Sequence, residues 1–158
     1  MKRWVKWTAV AGVLGAAALL MLPQAATSAL PVGAKAPDFT TRGALAGKLF
    51  TLRLSEHLKK GPVVLYFFPA AFTPGCTAEA HEFAEATDDF KAAGATVIGM
   101  SADPVDKLAK FSTQECRDKF AVASAGPAIV KDYDVALPVP GGMTNRTSYV
   151  ISRTGRIV

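Results

Sequence analysis

Val63-Val-Leu-Tyr-Phe-Phe68 running into Pro69-Ala-Ala-Phe-Thr-Pro-Gly-Cys76 is the stretch that decides the reading of this chain. Six consecutive apolar or aromatic residues describe a strand covered on both faces. Pro69 closes it, and Phe72-Thr-Pro-Gly-Cys76 turns the chain into a helix. Cys76, Ala80, Phe83, Thr87 and Phe90 then recur at intervals of four, three, four and three, which puts them on one helical face. Glu79 and Glu82 sit in the early turns, where the helix dipole favours negative charge, and Gly94 is the expected stop. A buried strand thus delivers a thiol to a helix N-terminus. Unpaired N–H groups there favour anions, and the thiolate rather than the thiol is the nucleophile. A buried structural cysteine is the commoner fate of a free thiol, but strand, Pro-Gly turn and helix start together point to chemistry.

Outward from this unit, Pro37–Thr41 and Leu49–Leu52 read as short strands around a Gly43/Gly47 turn, and Ser55–Lys60 as a brief helical segment before Gly61-Pro62. Val97–Met100 is a second buried strand. Asp103 and Pro104 suit the N-cap and first position of a second helix expected to reach about Lys119, with Asp106 in its first turn. Thr147–Ile151 alternates as a strand does, Arg153–Gly155 is a turn, and Arg156–Val158 starts a return strand.

The N-terminus is different in kind. Met1–Trp7 is basic, Thr8–Leu22 is a run of fifteen uncharged residues, and Pro23–Ala29 supplies a helix breaker and small side chains. That is the layout of a secretory signal peptide over residues 1–29, with cleavage expected after Ala29 and export, to a periplasm, as its consequence. The run is short for a span, which takes about 20 residues; an uncleaved membrane anchor is the alternative. Without this segment 15 basic residues face 13 acidic ones, so the formal +5 of the whole chain belongs largely to the leader. No Lys/Arg stripe interleaved with aromatics suggests nucleic acid. Residues 30–158 suit one domain with one core.

Pro69, Thr73 and Cys76, as Pro-x-x-x-Thr-x-x-Cys, resemble the active-site motif of the peroxiredoxins. Tyr66-Phe-Phe-Pro-Ala-Ala-Phe-Thr-Pro-Gly-Cys-Thr-Ala-Glu79 is similar to the peroxiredoxin Q (bacterioferritin comigratory protein) branch of the AhpC/TSA superfamily. The likeness runs from Pro37-Asp-Phe39 to the end of the chain and includes Asn145-Arg-Thr-Ser-Tyr-Val-Ile151, where the family places its active-site arginine. It implies an α/β, thioredoxin-like fold, a central mixed sheet flanked by helices. Members continue into a last helix, so a chain ending at Val158 implies a domain without it. The implied activity is reduction of hydrogen peroxide and organic hydroperoxides through a cysteine sulfenic acid on Cys76. Thr73 would hydrogen-bond the peroxide, Arg146 would stabilise the thiolate and developing charge, and Pro69 would shield the sulfur. No metal, haem or flavin is implied; the partners are a hydroperoxide and a thioredoxin-like dithiol reductant, and the expected state is a monomer.

The chain departs from the commonest pattern of that branch, which has a second cysteine five residues after the first; here that position is His81. Some members carry the resolving cysteine on the second helix, so the resemblance implies a Cys76–Cys116 pair. An inert Cys116 and a permanent structural disulfide stay open. Five helical positions from Cys76 turn His81 away from the sulfur, and His57 is no better placed. Two histidines and two thiols without Cys-x-x-Cys give no zinc pattern. The sequon Asn145-Arg-Thr147 reads as chance. The rival functions are a thioredoxin-like disulfide oxidoreductase, which would want Cys-x-x-Cys where this chain has Cys76-Thr-Ala-Glu79, and a thiol or metal-binding protein on the same fold, which would want closely spaced thiols and a histidine.

Overall fold

The structure, a computed structural model, describes residues 29–158. The basic start and apolar run read as a signal peptide lie outside the described residues. Six strands and four helices follow in the order β1 (Thr40–Leu45), β2 (Lys48–Arg53), α1 (Leu54–Leu58), β3 (Val63–Phe67), α2 (Pro74–Ala92), β4 (Thr96–Ser101), α3 (Val105–Gln114), β5 (Ala121–Ser124), α4 (Pro127–Asp132) and β6 (Thr147–Ile151). They form one mixed sheet in the order β2-β1-β5-β4-β3-β6, in which β3, β4 and β5 are parallel and β6 runs antiparallel to β3.

The unbroken apolar run of β3 is explained by its place inside the sheet. Val63, Leu65 and Phe67 point into one core with α1 and α4, whereas Val64, Tyr66 and Phe68 point into the other with α2 and α3. Tyr66 lies flat on β4, where a Cβ on Gly99 would come within 2.9 Å of its ring, so that close approach requires glycine. The α2 stripe is as read: Cys76, Ala80 and Thr87 are buried, and Phe83 and Phe90 pack on the second core.

Several boundaries differ from the sequence reading. Gly43 lies inside β1, opposite Phe50, and the hairpin turns at Ala46-Gly47, where φ is +49° and +74°. Asp103 does not cap α3; Pro104 takes the cap position and the Asp103 carboxylate points elsewhere. α3 stops at Gln114, five residues short of the expected Lys119, so Cys116 lies in the turn beyond the helix and not on it. The buried stripe Leu108, Phe111, Ser112 would have continued to Glu115 and Lys119; leaving the helix buries Cys116 and Phe120 in their place. β5 and α4 were not anticipated: β5 is four small residues, and α4 is only six long. After β6, Ile157 bridges back to Ile151 and Arg156 to Lys35, the return expected of the last residues.

Candidate active site

The site forms where the C-terminal end of β3, the N-terminus of α2 and the start of β6 meet. The register pairs Phe67 with Thr147, which carries the preceding Arg146 to the end of β3. Thr144 strengthens that placement: fully buried, its hydroxyl donates to the Phe68 carbonyl at 2.6 Å. Pro69 follows, half-buried, two residues past β3. The Ala71 N–H donates to the Asp103 carboxylate at 2.6 Å, and Phe72 takes a left-handed φ of +66° with its ring edge-on against Phe111. This is costly for a residue with a Cβ, and it turns the chain so that Thr73 becomes the N-cap of α2 and Pro74 its first residue.

Cys76 is the third residue of α2 and is only 1% exposed, beneath the exposed Thr73, Pro74 and Gly75. Arg146 Nη2 donates to its sulfur at 3.2 Å. The guanidinium gets there by crossing Gly75, where a Cβ would come within 2.9 Å of Nη2. Arg146 Nη1 simultaneously donates to Glu79, one helical turn beyond the thiol. Burial raises the Glu79 carboxyl above the ordinary carboxylate range, against the opposing pull of Arg146. Thr73 is exposed at the rim; its hydroxyl donates to the Ala70 carbonyl at 3.0 Å and keeps the capacity to accept a hydrogen bond.

Cys116 belongs to the same core but to another environment. It is wholly buried just past the C-terminus of α3, and burial first, then Glu115 and Asp118, pushes its thiol far above the ordinary thiol range. Both cysteines are free thiols. The Tyr66 hydroxyl lies within electrostatic reach of both; it is buried and is the one buried side-chain polar atom without a hydrogen-bond partner among the described residues. His81 turns away from Cys76, as its spacing requires, and meets Glu115 at 2.8 Å, a partner that the sequence reading did not supply. Sequence reasoning also missed the roles of Gly75 and Glu79, although Glu79 stands at Cys76 + 3 on the same face of α2.

A thioredoxin-like sheet that presents a thiol at a helix N-terminus beneath a guanidinium, with no Cys-x-x-Cys, defines a thiol-based oxidoreductase. The AhpC/TSA family model matches residues 32–158. The crystal structure of the peroxidoxin BcpB from Mycobacterium tuberculosis superposes with a TM-score of 0.71 at 34% identity, covering 81% of this chain and 82% of that one. Peroxiredoxin Q, chloroplastic, of Oryza sativa subsp. japonica is 34% identical over 123 residues, 78% of this chain and 55% of that protein. Its counterpart from Populus jackii is 36% identical over the same share of this chain and 56% of its own length. The chain therefore spans little more than half of these plant relatives. The chain belongs to the AhpC/TSA family, that of the peroxiredoxins, which are thiol-dependent peroxidases.

Proposed function

We propose that Cys76 is the peroxide-attacking thiol of a peroxidase of the peroxiredoxin Q type, acting on hydrogen peroxide and organic hydroperoxides. The observation that carries this is the Arg146 Nη2 contact with the Cys76 sulfur at a helix N-terminus. The thiolate attacks the terminal oxygen of the hydroperoxide, the O–O bond breaks, and the departing alkoxide takes a proton to leave as alcohol or water. Cys76 is left as a sulfenic acid. Thr73 accepts the hydrogen of the terminal O–H, which orients that oxygen toward sulfur. Arg146 has donors for both the thiolate and the oxygen on which charge develops, and Glu79 fixes its plane. Pro69 keeps water from the sulfur.

Cys116 completes the cycle in this reading. Its thiolate attacks the Cys76 sulfenic sulfur, hydroxide leaves as water, and a thioredoxin-like dithiol reduces the disulfide while being oxidised itself. The buried, neutral thiol cannot do this in place, so the 115–119 turn must open first. A disulfide needs Cα atoms within about 7 Å. The test is peroxide-treated monomer digested under non-reducing conditions. A Cys76–Cys116 linked peptide is expected, and Cys116→Ser should react once with peroxide and then accumulate sulfinic acid; links only between chains would overturn the pairing.

Residues 1–29 we read as a signal that exports the domain and is then removed, the basic start and fifteen-residue apolar run supporting it. N-terminal sequencing of the mature protein should begin near Leu30. An intact leader on a membrane-bound protein would favour an anchor. The mature domain acts as a monomer, to be checked by its sedimentation.

A further inference from the structure

We propose that His81, Glu85 and Asp88 on α2 form a clasp over the Cys116 turn and act as positioning residues that set how fast Cys116 is released toward Cys76. The proposal rests on Cys116 being the resolving thiol.

The three acceptors or donors on α2 stand at i, i+4 and i+7, so they line one face of that helix. Each meets an alternate residue of the turn. His81 Nε2 meets Glu115 Oε2 at 2.8 Å, Glu85 Oε1 accepts from Arg117 Nη1 at 3.2 Å, and Asp88 Oδ2 faces Lys119 Nζ at 3.7 Å. Residues 115, 117 and 119 are thereby tied outward, while Cys116 and Phe120 between and after them point into the core. The innermost pair is the least exposed, and the outermost shares Asp88 with Lys91 on its own helix. The clasp therefore tightens toward the thiol.

What it holds is under tension. Arg117 and Asp118 both take left-handed φ values, +51° and +59°, in a turn with no glycine. The backbone closes on itself by Cys116 N–H to Phe111 O at 3.1 Å and Asp118 N–H to Ser112 O at 3.0 Å. A strained turn secured by side-chain pairs to a neighbouring helix has two accessible arrangements, shut and released, and the pairs bias it toward shut. Slow release lengthens the life of the Cys76 sulfenic acid, and with it the exposure to a second peroxide that would oxidise it to sulfinic acid.

The test follows two rates in one protein: sulfenic acid formation, trapped with dimedone, and appearance of the Cys76–Cys116 linked peptide by mass spectrometry. His81→Ala and Glu85→Arg should each speed linkage, by about two- to fivefold for pairs of this exposure, and lower the sulfinic fraction. Sulfenic acid formation should not change. Glu85→Arg combined with Arg117→Glu restores the pair with its charges exchanged and should return linkage to the parent rate, which a merely structural effect would not do. Glu85 and Arg117 are on the exposed surface, so this cycle decides the matter even if His81→Ala folds poorly. Linkage at the parent rate in the single variants overturns the clasp and leaves Cys116 as resolving thiol. No linkage in the parent protein overturns both.

Discussion

Cys76 and Cys116 are buried to the same degree in the same core, at 1% and 0% exposure, yet their surroundings are opposite. Cys76 opens a nineteen-residue helix and has a guanidinium nitrogen 3.2 Å from its sulfur. Cys116 lies past the end of a helix, where the dipole is negative, with Glu115 and Asp118 adding to that field. At Cys116 removal from water disfavours the thiolate and the neighbouring carboxylates add to that, whereas the sulfur of Cys76 faces a guanidinium. Burial alone therefore says little about which cysteine reacts.

The sharpest way to break this contrast is to remove each sulfur in turn. Cys76→Ser should lower peroxide consumption with dithiothreitol by about a hundredfold or more, with an unchanged circular dichroism spectrum. If instead Cys116→Ser did so, the two assignments would be exchanged.

Removing the guanidinium tests its cause. Arg146→Ala should lower the second-order rate with peroxide at least about tenfold, roughly 1.4 kcal/mol. It should also narrow the difference in iodoacetamide labelling between the two cysteines of the reduced protein. Thr73→Val should slow peroxide reduction about as much while leaving labelling alone, since its hydroxyl faces the rim and bonds Ala70 rather than the sulfur.

A smaller effect separates the thiols by stability. The folded protein holds the Cys116 proton above the ordinary value of 9.0, so above that pH the unfolded chain binds fewer protons than the native one. Stability then falls as pH rises through 9 and beyond, with a limiting slope of about 1.4 kcal/mol per pH unit for one group. Tyr66, Tyr133 and Tyr149, all raised chiefly by burial, add to the fall from their ordinary value of 10.0 upward. Urea unfolding of the reduced protein between pH 8 and 10.5 should show a shallower decline for Cys116→Ala from about pH 9 upward. A parallel decline would mean that the thiol ionises freely in the fold.

The smallest effect expected is among the aromatic rings of the second core. Tyr66→Phe removes a hydroxyl that is buried without a partner and keeps the ring stacked on Phe83 at 4.2 Å and on Phe68 at 5.5 Å. Stability should be unchanged or higher by up to about 1 kcal/mol. A loss larger than that, by thermal melting, would mean that the hydroxyl has a partner in solution.

By itself the sequence determined the elements whose pattern is local. The six-residue apolar run, the four-three spacing after Cys76 and the Thr-Pro-Gly turn identify β3, α2 and the helix N-terminus between them, because period and turn chemistry are properties of neighbours along the chain. Cys76 stands out for that reason, whereas the roles given to Thr73, Pro69 and Arg146 come from the family resemblance. What only the tertiary structure decided depends on residues that sequence order keeps apart. α3 reads as a helix to Lys119 until the core demands Cys116 and Phe120, and four small residues become β5 only because β1 and β4 lie open on either side of them. Arg146 meets the sulfur, seventy residues away in the chain, through the β3–β6 register and the missing side chain of Gly75. His81, which five helical positions turn away from Cys76, faces Glu115 instead, because the packing of α2 on the α3–β5 turn, and no local pattern, chooses its partner.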